Sequence, residues 1–103
     1  MKNISQLLKQ AQKLQGAMKK VQEELSEKRV SGYAGGGVVE AVVNGQQELV
    51  RIVISPEVVK PEEVEFLEDL VLAAVNEALA RAGELASEEM KKVMGNYHFP
   101  GLF

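Results

Sequence analysis

The sequence contains no cysteine, no tryptophan and a single histidine, and only three prolines and five aromatic side chains, two Tyr and three Phe, among 103 residues. Without cysteine the chain has no disulfide framework, no thiolate nucleophile and no zinc–thiolate site in any fold. His98 has no acidic neighbour along the chain, which argues against a metal or acid–base role. Long apolar runs are missing too: residues 1–14 are broken by Lys2, Lys9 and Lys13, and no later window has the length a bilayer needs. The chain therefore reads as soluble and intracellular, with no membrane partner. One further absence carries the most information. The first 22 residues hold five lysines and no acid, whereas the remainder holds seven basic and fifteen acidic side chains within a net charge of -3. The sum opposes nucleic-acid binding, which depends on lysine and arginine displacing counterions from phosphate, but the distribution places an anion-seeking segment on an otherwise acidic body.

What is present reads as one α+β domain over residues 1–94 followed by a flexible tail, 95–103. Ile4, Leu7, Leu8, Ala11, Leu14, Met18, Val21 and Leu25 alternate in threes and fours, so a helix is expected over 4–28, capped by Asn3 with Gln6 reaching back. Strands are expected at about 30–34, 38–43 and 48–54, with Gly35, Gly36 and Gly37 supplying a turn or bulge between the first two. Asn44-Gly45-Gln46-Gln47 is read as a four-residue hairpin loop. That register sets Val39 opposite Ile52, Ala41 opposite Val50 and Glu40 opposite Arg51. Ser55-Pro56 ends the sheet, and a second helix over 61–94 starts at Pro61, with early acids facing the positive end of its dipole, and stops at Gly95.

At 1.5 Å per residue these helices are roughly 37 and 50 Å long, against a radius of gyration of about 13 Å for a compact chain of this size. Both project from the core while still carrying Leu7, Leu8, Leu85, Ala86 and Val93. A second copy related by a two-fold axis would cover them; a monomeric helical hairpin with frayed ends is the alternative.

Lys2, Lys9, Lys13 and Lys20 fall within about 40° of one another on the first helix, opposite its leucines, in a row roughly 27 Å long. Such a row spans several phosphates of one duplex. An ordinary solvated face would also carry lysines, but it would intersperse both signs. Lys19, Lys28 and Arg29 add to the same cationic surface, and Lys91 and Lys92 form a smaller cluster. Gly16 lies on the row, where a glycine permits close backbone approach or is simply tolerated. The nine acids against three basic residues between Pro61 and Met94 confine DNA contact mainly to the first helix.

The segment Leu7-Leu8-Lys9-Gln10-Ala11-Gln12-Lys13-Leu14-Gln15 with Met18, the run Gly35-Gly36-Gly37-Val38-Val39 leading to Val43-Asn44-Gly45, Ile54-Ser55-Pro56-Glu57, the stretch Leu67 to Ala78 and the closing Pro100-Gly101-Leu102-Phe103 resemble, in order, sequences of the YbaB/EbfC family. The resemblance implies an α-β-β-β-α protomer with a small antiparallel sheet, and a tweezer-like homodimer with two long helices as arms. It also implies cytoplasmic, nucleoid-associated binding to double-stranded DNA with an influence on gene expression, and no cofactor, small-molecule substrate or catalysis. A prefoldin-like chaperone or adaptor without DNA binding is the rival expectation. An enzyme is remote, because the glycine run lacks the Gly-Lys-Ser/Thr ending of a phosphate loop and leads into a strand. Tyr97, Phe99 and Phe103 of the tail are read as docked or disordered in preference to stacking on bases.

Overall fold

The computed structural model describes residues 2–96. Helix α1 spans Lys2–Glu27, strands β1, β2 and β3 span Arg29–Ala34, Val39–Asn44 and Leu49–Ile54, short 3-10 turns occupy Pro56–Val58 and Pro61–Glu63, and helix α2 spans Val64–Gly95. The three strands form one antiparallel sheet in the order β1-β2-β3, so the architecture is the expected α-β-β-β-α.

Side-chain alternation along β2 sends Val39, Ala41 and Val43 to one face, where all three are fully buried against Ala74, Ala78 and Ala82 of α2. Alanine at every fourth position gives the helix a flat flank, and Gly32 of β1 completes the fit. A Cβ on Gly32 would overlap the carbonyl of Ala74 and the backbone nitrogen of Ala78. Helix and strand therefore meet backbone to backbone, closer than any larger residue allows. The rest of the core is assembled around this contact, with Leu70 buried and Val30, Ala34, Ile54, Leu67 and Val71 packed at its rim.

The hairpin register differs from the expected one. Val39 pairs with Ile54, Glu40 with Val53, Ala41 with Ile52 and Val42 with Arg51. Glu40 is thus not opposite Arg51; it accepts a 2.7 Å hydrogen bond from the Ser31 hydroxyl. The reason lies in the turn, which is three residues long: the Asn44 N–H donates to the Glu48 carbonyl at 2.9 Å, and Gln47 adopts the left-handed conformation at φ 62°. The three-residue loop moves the pairing by one residue, so that Val43 pairs with Leu49, and a bulge at Val50 moves it by one more, the register shifting between Val42 and Val43. Beyond the bulge the slip is two residues, so Ile52 and Ile54 keep the face the pattern assigned to them, whereas on the turn side it is one and Leu49 takes the place expected for Glu48 opposite Val43.

Helix boundaries also move. α1 already includes Lys2 and Asn3, so Asn3 lies inside the helix and is not its cap; no helix breaker precedes it to halt the repeat. The second helix begins as a 3-10 turn at Pro61, leaves helical geometry at Glu63 (φ -127°, ψ 35°) and becomes α-helical only at Val64. Proline at the first position suits either start. At the other end α2 takes in Gly95, and Asn96 closes it in right-handed geometry. Residues 97–103, with Tyr97, His98, Phe99 and Phe103, lie outside the described residues.

The molecule is elongated, 72 × 21 × 16 Å with a radius of gyration of 19.9 Å. The excess over roughly 13 Å for a compact chain of this length comes from α1. Its C-terminal end is fixed: Leu25 is buried, its carbonyl accepts the Gly45 N–H at 2.8 Å, and the Gln46 side chain donates to the Gln22 carbonyl at 2.8 Å. Its first half projects, leaving Ile4 57% and Leu8 60% exposed.

Two glycines should respond oppositely to alanine. Gly32→Ala forces α2 away from β1 and is expected to cost about 1–3 kcal/mol, the range for overpacking a tight contact. Gly16, with nothing within 4 Å of an added Cβ, should gain about 0.5–1 kcal/mol as alanine. Urea denaturation followed by circular dichroism measures both.

Candidate nucleic-acid interface

The lysine row follows the outer face of α1, from its projecting first half to Lys20, five residues before the buried Leu25. A helix carries residues seven and eleven apart nearly in line, so Lys9, Lys13, Gly16 and Lys20 occupy one stripe, all exposed. Lys2 opens the helix, with its side chain outside the described atoms. Lys19 is exposed about 80° around the helix from Lys9. Among the described residues the ion pairs are Lys60 with Glu63 at 3.7 Å, Arg81 with Glu77 at 3.1 Å and Lys92 with Glu89 at 3.4 Å. Lys9, Lys13, Lys19 and Lys20 take part in none, so no described residue neutralises their charge. An unpaired exposed ammonium remains hydrated and keeps its attraction for an external anion.

The remaining candidates are placed differently. Lys28 is exposed at the base of α1. Arg29 folds back, its Nη1 donating to the carbonyls of Ser26 at 3.1 Å and Lys28 at 3.0 Å. It thereby caps the negative end of α1, and part of its donor capacity is committed. Lys91 and Lys92 are exposed near the end of α2, and Lys92 is held by Glu89 within its own helix.

Gln6 and Gln10 escaped the search for charge. They line, with Lys9 and Lys13, an open depression on the outer face of α1. Amide side chains donate hydrogen bonds to phosphate oxygens without adding charge. The signal was their helical spacing from the lysines, residues 6, 10 and 13 falling on adjacent turns. Two more polar residues that sequence reasoning left unassigned fix the base of the arm. Asn44 is buried, with its amide donating to Glu48 at 2.8 Å and its side-chain oxygen accepting from the backbone of Gln46 and Glu48. Gln47 donates to the Leu79 carbonyl at 2.9 Å. The β2–β3 turn thus joins α1 and α2, and it holds the cationic helix at its root.

Among the described residues no three His, Cys, Asp or Glu side chains converge on a candidate metal position, and no helix is long and apolar enough to cross a membrane.

Comparison with known proteins agrees over almost the whole chain. The model of the YbaB/EbfC DNA-binding family matches residues 1–97. A nucleoid-associated protein of Caldanaerobacter subterraneus subsp. tengcongensis is 56% identical over 98% of this chain and 91% of its own length. One from Pelotomaculum thermopropionicum is 50% identical over 98% of this chain and 96% of its own length. Among solved structures, an uncharacterized protein from Helicobacter pylori has a similar fold, with a TM-score of 0.67 at 23% identity, covering 89% of this chain and 92% of that one.

Because Lys9, Lys13 and Lys20 make no ion pair among the described residues, reversing their charge should leave the fold intact. Lys9→Glu, Lys13→Glu and Lys20→Glu combined are expected to change unfolding free energy by no more than roughly 0.5 kcal/mol per site, the usual range for exposed substitutions. A thermal melt followed by circular dichroism checks this.

Proposed function

The chain belongs to the YbaB/EbfC DNA-binding family, and from that premise we propose that it is a nucleoid-associated protein that grips double-stranded DNA with the lysine row of α1, presented twice by a homodimer. The observation that carries the proposal is the exposed, unpaired set Lys9, Lys13 and Lys20 on a helix projecting from the core. In this reading Lys2, Lys19 and Lys28 extend the contact, Gln6 and Gln10 add uncharged donors, and Lys91 and Lys92 supply a secondary site. Arg29 contributes with the donors left over from its capping role.

Contacts of this type go to phosphate oxygens, which are the same at every base pair. They position the protein without reading sequence, and each lysine that neutralises a phosphate releases condensed counterions. Binding is therefore broad in sequence and steep in salt. A protein that coats duplex in this way acts in the cytoplasm on the nucleoid and influences gene expression through occupancy of DNA, without catalysis. The acidic faces of α2 repel the duplex and direct it to the arms. Two such arms related by a two-fold axis form a tweezer around one duplex.

The exposed Ile4, Leu7 and Leu8 on the same arm favour a second reading, a chaperone-like grip on unfolded chains. One titration separates the two. Binding of a random-sequence duplex is measured by fluorescence anisotropy between about 50 and 200 mM salt for wild type and for the triple Lys→Glu variant. The DNA reading expects the variant to lose at least tenfold in affinity and its log–log salt slope to flatten by about 0.9 for each phosphate contact removed. Equal affinity and slope in the two proteins, with tight binding of a reduced unfolded polypeptide, would establish the chaperone reading instead.

A further inference from the structure

Where α2 crosses the sheet it closes what it meets. The Glu77 carboxylate accepts the Tyr33 N–H at 3.4 Å, and Arg81 donates to the Ser31 carbonyl at 3.3 Å while pairing with Glu77, so backbone groups at the edge of β1 are occupied. Past Ala82, the last of the alanines buried against the sheet, the helix runs on to Gly95. Val93 is nevertheless buried and Leu85, Ala86 and Met90 are half-buried, although Val93 lies roughly 16 Å along the helix from Ala82. Helix α1 supplies the cover. Along its facing side Leu25 is buried, and Val21, Ala17 and Leu14 are half-buried.

The two helices run antiparallel, since α1 ends at the β2–β3 turn and α2 leaves past it. That turn sets their level: Gly45 donates to the Leu25 carbonyl and Gln47 to the Leu79 carbonyl. Equal rise along both helices then brings Val93 level with about residues 11–14 of α1. Burial on α1 stops at the same place, at Leu14. The apolar stripe does not stop there. Ile4, Leu7, Leu8 and Ala11 continue it for roughly 15 Å, on the side of the helix away from the lysine row. All four are exposed, including Leu7, which is in line with Leu14 and Val21 and is 41% exposed. Beside the first uncovered turn α2 ends, the Asn96 N–H closing on the carbonyls of Val93 and Met94.

We propose that residues 97–103 of the same chain run on along α1 and cover this stripe, strapping the tip of the arm. Composition, conformation and length support the match. Tyr97-His98-Phe99-Pro100-Gly101-Leu102-Phe103 holds three of the chain's five aromatic side chains and no Asp, Glu, Lys or Arg, so it gains from apolar contact and leaves no charge to desolvate. Pro100 has no N–H and pushes Phe99 toward extended geometry, which bars continuation of the helix. In an extended chain alternate side chains share a side, and that groups Tyr97, Phe99 and Phe103. Seven extended residues span roughly 23 Å, enough to reach Ile4 from the end of α2. A strap on this side leaves Lys9, Lys13 and Lys20 free. It does not depend on the DNA reading above, but it takes away the open apolar surface on which the chaperone-like reading rests.

The test uses the full chain and two measurements. Nuclear Overhauser spectra of wild type with labelled Ile and Leu methyl groups are expected to connect the Tyr97 and Phe99 rings with Ile4, Leu7 and Leu8. Amide hydrogen exchange of the double variant Phe99→Ser, Phe103→Ser is expected to be at least tenfold faster than wild type over residues 7–11 and unchanged over 17–25, a pattern that general unfolding does not give. Ring contacts with another surface or with none overturn the strap, as does exchange over residues 7–11 that the double variant leaves unchanged. Cross-peaks found between labelled and unlabelled copies in a mixed sample would assign the cover to a second copy's tail and overturn its place within one chain.

Discussion

Everything in this molecule is positioned by the seating of α2 on β1, bare at Gly32, and on the small side chains of β2. Gly32 and the alanines at 74, 78 and 82 let helix and sheet approach to a distance that excludes any larger side chain. Close packing of this kind is stabilising through many small dispersion contacts, and it is unforgiving of added volume. It also determines what α2 does not cover. Because the helix sits over two of the three strands, β3 is left with an open flank, and the helix continues past the sheet to meet α1 near the hairpin turn.

That turn carries a second set of constraints that rank below the first but decide the shape. Asn44 is the only polar residue buried among the described ones, and each of its side-chain atoms is satisfied locally. Its role is to hold a three-residue loop in a form that offers Gly45 to Leu25, Gln46 to Gln22 and Gln47 to Leu79. Hydrogen bonds to helix carbonyls from one small loop tie the root of α1 to the sheet and add to the apolar seating of α2. The projecting arm can then afford a surface devoted to charge.

The parts of this arrangement legible from sequence are those governed by periodicity. The apolar repeat of α1 located the helix, its rotation placed Lys9, Lys13 and Lys20 on one stripe, and the period of two in the strands assigned Val39, Ala41 and Val43 to the core face. The hairpin register was not legible, because it turns on Gln47 taking a left-handed conformation in which glycine or asparagine is the ordinary choice. Nor were the strand-edge roles of Glu77 and Arg81, which depend on β1 lying beneath them. Arg29 looked like one more cation, and its proximity to the last carbonyls of α1 shows it half engaged in capping. For the same reason Gln6 and Gln10 were passed over: a charge count has no column for neutral donors.

The anchoring of α1 at one end makes it a lever. From Leu25 to Lys9 is sixteen residues, roughly 24 Å of helix, with the pivot set by the Gly45 hydrogen bond to the Leu25 carbonyl. The lever is a stiff one, because Leu14, Ala17 and Val21 are half-buried along it and Val93 of α2 is buried. Its anchoring therefore runs over several turns from Leu25, and a duplex gripped by such an arm has to suit a reach that the packing of the two helices has already set.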